Sequence, residues 1–260
     1  MKKHIISFII ALATAVTTWG TTLDQQADSA YSADKFQDAV ELYNQAINEY
    51  GSSSKLYYNL GNAYYRCGNL GQAVLNYERA LRLDPTDNNT RANLEFVNSK
   101  LIDKPGERGT FLENAFDSMA TSMTSNGWAW LAFILFVLFA ASVVLYLFSS
   151  AVNLRKLGFF GGGVLFVLSV MAIIVAIRAK SIATSTDYAI ITSPSTILST
   201  TPRAPKNRNE EAMLLHAGTK LHILDSITSR TDSLNMTWYD VEVDNEHRAW
   251  ISSADVEKVN

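Results

Sequence analysis

Apolar residues along this chain are pooled, and the period within each pool predicts a different element. Residues 5–16 are an apolar run behind Lys2 and Lys3 and ahead of small residues, which predicts a secretory signal peptide over 1–20. Residues 128–148 (WAWLAFILFVLFAASVVLYLF) and 158–177 (GFFGGGVLFVLSVMAIIVAI) carry no charge, and at about 1.5 Å per residue each covers a hydrocarbon core of about 30 Å. They predict two transmembrane helices. The connection 149–157 is too short for anything but a hairpin, so the regions before and after it share one side. Given the signal, that side is the periplasm and the anchor lies in the cell inner membrane, with Arg155 and Lys156 in a cytoplasmic loop, as the positive-inside tendency prefers. Trp128, Trp130 and Tyr146 fall where an aromatic belt sits. Gly158, Gly161 and Gly162 on the second helix, with Ala140 and Ala141 on the first, would let the backbones approach closely. Neither span holds an ionisable side chain, the usual mark of an ion or proton path, so the hairpin reads as an anchor.

Between signal and hairpin, over 21–101, the apolar positions take helical spacing and recur. An offset of 34 lays Ala39 on Ala73, Tyr43 on Tyr77 and Ala46 on Ala80, with Phe36 on Leu70 and Tyr31 on Tyr65. That period with small and aromatic residues alternating resembles the tetratricopeptide repeat. The second copy (54–87) holds Tyr57, Leu60, Gly61, Tyr64, Ala73, Tyr77, Ala80 and Pro85 at the signature places. The first copy (20–53) has Gln26 and Ala27 where Leu and Gly are expected. A repeat cannot bury its apolar face alone, and residues 87–101 supply a capping helix with Leu94 on the place of Leu60. The resemblance implies an all-α stack whose first helices line a concave face for peptides or protein partners. Tyr58, Asn62, Tyr65 and Arg66, joined by Asn93 and Phe96, would present there. Residues 102–127 place Phe111, Leu112, Ala115, Phe116, Met119 and Met123 on one helical face, with Glu113, Asn114 and Asp117 opposite. Such a segment lies in the membrane interface or packs on the repeats.

After the second span, over 183–260, the period falls to two. Val241 and Val243 alternate with Asp240, Glu242 and Asp244, and DNEH makes a turn before 249–251. Several short strands in this length predict a small all-β barrel. The order LHAGTKLHIL, WYDVEV, RAWISSADVEKV resembles the bacterial SH3-like family, with Leu215, Gly218, Trp238, Tyr239, Val241, Trp250 and Ile251 at its recurring places. The long segment STILSTTPRAPKNRNEE lacks the family's asparagine–hydrophobic–arginine element. Trp238, Tyr239 and Trp250 either form an aromatic groove for peptide or glycan or fill the core.

Charge and chemistry narrow the functional classes. A net charge of −3 argues against a general affinity for nucleic acid. The one cysteine, Cys67, forms no internal disulfide and no multi-cysteine metal site, and His216, His222 and His247 match no zinc spacing. No nucleophile–base set and no carboxylate pair stands out, so neither an enzyme nor a cofactor is expected. Asp-Ser-apolar triplets at 28–30, 117–119, 225–227 and 232–234 resemble an O-glycosylation sequon.

Signal, two tetratricopeptide repeats, interfacial segment, transmembrane hairpin and SH3-like barrel, in that order, resemble the protein E family of the Bacteroides aerotolerance (Bat) operon. That resemblance implies an inner-membrane-anchored periplasmic scaffold in an envelope-stress or aerotolerance complex, with von Willebrand A-domain membrane proteins as partners. The other reading of the same architecture is a sensor that binds cell-wall peptidoglycan through the SH3-like domain.

Overall fold

The computed structural model describes residues 22–260 apart from Pro105, Glu107, Asp232 and Ser233; the signal reading over 1–20 falls outside them. Caps set the helix boundaries of the repeat region. Thr22 and Gln25 form a capping box at the start of α1 (Leu23–Ser32), the Ser53 hydroxyl accepts from Leu56 N–H at α3 (Ser54–Arg66), and the Asn69 side chain accepts from Gln72 N–H at α4 (Leu70–Leu83). With α2 (Phe36–Tyr50), these helices form two antiparallel pairs. The cap α5 (Asn88–Asn98) starts where Asp87 accepts from Asn89 and Thr90 N–H, after Pro85 has ended α4. The first pair, degenerate in its signature letters, forms all the same, because Ala27 is small enough to be fully buried at the crossing.

The linker to α6 (Phe111–Ala120) is followed by two long apolar helices, α7 (Ser125–Phe148) and α8 (Val152–Thr184). Both are long and apolar enough to cross a membrane, and most of their large apolar side chains are exposed. α8 starts before the expected span and ends beyond it, through Arg155 and Lys156 at one end and Arg178 and Lys180 at the other. The loop expected over 149–157 therefore shrinks to Ser149–Ala151, since flanking charges do not interrupt backbone hydrogen bonding. Close packing within the hairpin falls on two of the three expected glycines, Gly158 and Gly162, both buried against α7 around Ser142. Gly158 sits where an added Cβ would lie 2.8 Å from Ser142 O, and Ser169 Oγ donates to Ala132 O at 3.0 Å. Ala140 and Ala141 are exposed, and Gly161 faces open space. α6 packs on α8 and not on the repeats: Ala120 and Phe116 meet Val175 and Ala179, and Asp117 accepts two hydrogen bonds from Arg178 at 2.6 and 2.8 Å. Phe111 and Leu112 remain exposed.

The C-terminal strands are β1 (Tyr188–Ile191), β2 (Ser195–Ser199), β3 (Glu211–His216), β4 (Lys220–Thr231), β5 (Leu234–Glu242), β6 (Arg248–Ser252) and β7 (Val256–Lys258). They form one antiparallel sheet in the order β3-β2-β6-β5-β4-β1-β7. The sheet curves around a core of Ile191, Leu198, Leu221, Val241, Ile251 and Val256 without closing into the expected barrel. Its two edges end on chain from the repeat side. Arg79 and Arg82 donate to Lys258 O (3.0 Å) and Val259 O (2.8 Å) next to β7, and Asp103 accepts from His216 N–H at the end of β3 (2.5 Å). An edge occupied by side chains from another element has less need of a closing strand.

Candidate partner-binding face

The tetratricopeptide resemblance assigns the partner face to the first helices of the repeats, here α1 and α3, with the cap α5 after them. Tyr58, Asn62, Tyr65 and Arg66 lie on α3, and Asn93 and Phe96 on α5; contacts join Tyr58 and Asn62 to Asn93 and Tyr65 to Phe96, whereas Arg66 turns towards the first repeat. They divide into two kinds. Phe96 is half exposed; its ring packs edge-on against Tyr65 with centroids 5.7 Å apart, and the Lys100 ammonium stands 4.7 Å over its other side. Arg66 reaches the exposed end of the face, stacked 4.0 Å over Phe36 and paired with Asp34 at 3.2 Å. Tyr65 and Phe96 thus offer an aromatic surface with the Lys100 cation beside it.

Asn62 and Asn93 are tied into the packing. The Asn62 side-chain oxygen accepts from Tyr77 OH at 2.7 Å and from Asn93 Nδ2 at 2.9 Å, and Tyr58 OH lies 3.4 Å from that same amide. Burial pushes the Tyr77 phenol well above its ordinary range, so it stays a hydrogen-bond donor. Removing Asn62 would leave a buried hydroxyl short of an acceptor, so Asn62 orders the face from beneath. The same triad recurs one repeat earlier: Tyr43 OH donates to Asp28 Oδ1 at 2.5 Å, and Asn59 Nδ2 donates to the same oxygen at 3.1 Å. The offset of 34 places Asp28 on Asn62 and Asn59 on Asn93, a signal present in the sequence that a search for signature letters passes over.

The second helix of the second repeat faces the other way, onto the sheet. Ile190 and Val259 join Ala73, Val74, Tyr77, Leu94 and Leu101 in one core cluster. Polar bonds surround it: Arg79 pairs with Glu257 at 2.9 Å, Lys220 with Glu78 at 2.7 Å, and Arg82 donates to both Ala183 O and Val259 O at 2.8 Å. Nothing in the periodicity announces this contact. The linker adds to it, with Asp103 accepting from His216 N–H and from Thr219 OH (2.8 Å), and Arg108 donating to Lys220 O (2.8 Å). Burial opposes ionisation of Asp103, but the bonds from His216 and Thr219 outweigh it and hold the carboxyl below its ordinary range.

The aromatic residues of the sheet do not converge. Trp238 pairs with Ser252 and Trp250 with Asp240, so both tryptophans share one face, while Tyr239, opposite Ile251, lies on the core side. Trp238 is buried and Trp250 is half-buried. The three histidines each face a carboxylate: His216 with Asp103, His222 with Glu242, His247 with Asp244. Of the Asp-Ser-apolar triplets, Ser29, Ser118 and Ser226 are exposed within regular elements, and Ser233 falls outside the described residues.

The tetratricopeptide repeat family matches residues 54–87, the second repeat. Comparison of the whole chain with curated proteins finds no match. A tetratricopeptide repeat carries protein–protein interaction in general, and that much attaches to this chain.

Proposed function

We propose that this chain is a membrane-anchored scaffold that holds a protein partner on the first-helix face of its repeats. The observation that carries the reading is the division of labour between the two faces of the stack. The second-helix side of the second repeat is filled by the sheet, while Phe96, Tyr65, Arg66 and Lys100 stay accessible on the first-helix side. The stack and sheet act as one head on the anchoring hairpin, and the role is holding, not catalysis. In this reading the head lies on the periplasmic side of the inner membrane, and the partners are membrane proteins with von Willebrand A domains in an envelope-stress complex.

The test uses the full chain. A photo-cross-linking residue at the exposed Ala92, one turn before Phe96 on α5, should capture a discrete partner that the same residue at Leu214, on the far edge of the sheet, does not. The double variant Phe96→Ala with Lys100→Ala should abolish that capture while the chain melts as the parent does. Equal capture from both positions, or capture indifferent to the double variant, would move the partner site off this face. Independently, a periplasm-dependent reporter should be active after Asn260 and silent after Arg155.

A further inference from the structure

At the junction of repeats, sheet and hairpin, a cleft of about 600 Å³ opens beside the membrane-proximal helix ends. Ser125 and Asn126, at the start of α7, and Ile182 and Ala183, near the end of α8, form one wall. α4 and α5 contribute Arg82 and Arg91 to the lining, and β4 contributes Lys220. Among the described residues neither guanidinium has a carboxylate partner: Arg82 donates to the carbonyls of Ala183 and Val259, and Arg91 to that of Pro85 at 2.6 Å. Lys220 is neutralised by Glu78, and Glu95, also in the lining, is exposed. The lining thus sets three cations against two carboxylates. A half-buried guanidinium facing only carbonyls has charge and N–H groups to spare, and phosphate oxygens match its planar fork.

A second cavity continues from the first. Ser125 and Asn126 also line a groove of about 510 Å³ that runs down the hairpin between Ala129, Phe133 and Ile173, with Lys180 at its mouth. Lys180 is exposed and, among the described residues, has no carboxylate partner. A cationic cleft at the level of the headgroups that leads into an apolar groove at the level of the acyl chains has the polarity of a phospholipid. We propose that the two cavities together bind one anionic phospholipid of the leaflet on the head's side, its phosphate between Arg91, Arg82 and Lys180 and an acyl chain along Phe133 and Ile173. The lipid fills the seam between head and hairpin. This inference rests on the reading that the hairpin crosses a bilayer.

The test is native mass spectrometry of the full chain released from nanodiscs containing phosphatidylglycerol and phosphatidylcholine in equal amounts. The parent chain should retain phosphatidylglycerol about tenfold over phosphatidylcholine, the ratio that one strong charge-assisted contact supports. Arg91→Gln and Lys180→Gln should each bring retention towards parity with an unchanged circular-dichroism melt. Arg155→Gln with Lys156→Gln, at the opposite end of the hairpin, should leave the preference intact. No preference in the parent chain, a preference that survives both head-side variants, or one lost equally in the far-side variant would overturn the site. Inorganic phosphate alone should neither protect the chain from heat nor displace the lipid; if it does both, the ligand is free phosphate and the lipid assignment fails. Alkaline extraction of membranes reads the anchor separately: a chain that resists extraction but shows no lipid preference loses only this inference, whereas one that is extracted loses the anchor and this inference together.

Discussion

The two repeats share a backbone and differ in what they carry. Both bury a small residue at the crossing of their helices, Ala27 in the first and Gly61 in the second, and both tie a tyrosine of the second helix to an Asx side chain one helix back. In the second repeat the fit is tighter, since a Cβ on Gly61 would lie 2.7 Å from the Tyr77 ring. The larger difference is on the outer side. Gly71, Gln72, Glu78, Arg79 and Arg82 touch the sheet or α8, and the offset of 34 places them on Gln37, Asp38, Asn44, Gln45 and Asn48 of the first repeat. The repeat with the complete signature is also the one that bears the rest of the head, so its second helix is constrained from both sides.

Exchanging residues between equivalent places tests that difference most severely at Gly71. A Cβ there would meet Ile191 O at 3.0 Å, Ala217 Cβ at 3.1 Å and Gly218 N at 3.3 Å, mostly backbone that cannot rotate aside. Its counterpart Gln37 is exposed. Gly71→Gln should therefore wedge the sheet from the stack and cost about 3 kcal/mol, the upper end of overpacking. Gln37→Gly should cost at most about 1 kcal/mol through helix propensity alone. Chemical denaturation of the full chain in nanodiscs, followed by tryptophan fluorescence, compares them; equal effects would mean that the sheet does not bear on the second repeat.

The acid side of the same contact should yield next. Asp103 has its folded-state carboxyl held below the ordinary value of 3.8, so its bonds to His216 and Thr219 contribute in full above that value. The contribution falls away as the pH drops below 3.8 through the lowered folded value. Asp103→Asn should cost about 1–2 kcal/mol at neutral pH, and the penalty should vanish in strong acid. A penalty that does not change with pH would make Asp103 a packing residue instead of a charge-assisted tie. The first repeat has no contact of this kind among the described residues, so its local stability should not follow the same curve.

How much of this was legible beforehand follows from which forces have a period. The two helix pairs, the cap and the two long apolar helices announce themselves because Tyr43 and Tyr77, or the uncharged runs over 128–148 and 158–177, repeat or persist along the chain. The helices that carry the candidate face were legible for the same reason, and Asp28 and Asn59 were readable from the offset as well. The docking of stack on sheet was not. It rests on single polar pairs such as Arg79 with Glu257 and on the fit of Gly71, far apart in sequence and ordinary in composition. Strand periodicity located the β-region but could not decide closure, because the edges are met by Arg79, Arg82 and Asp103 from outside the sheet.

The smallest expected effect lies in the turn between the helices of each pair, where the two repeats solve one steric problem differently. The offset puts Asp34 on Gly68, and both hold a positive φ, 59° and 78°. That left-handed region costs an L-residue about 1–2 kcal/mol, less for Asp, whereas Gly enters it freely but gives up more entropy on folding. Asp34 also has an exposed ion pair with Arg66, an arrangement worth about 0–1 kcal/mol. A Cβ at Gly68 would meet nothing within 4 Å, so there the backbone term acts alone. Gly68→Asp should accordingly destabilise by about 0.5–1 kcal/mol. In Asp34→Gly the relief of strain, the added unfolded-state entropy and the lost ion pair oppose one another, and the net change should stay within about 0.5 kcal/mol. Equal and opposite shifts in denaturant midpoint for the two variants would show that the turn alone decides. The unequal pair expected here would show instead that the first repeat keeps Asp34 for its bond to Arg66, at the edge of the proposed partner face.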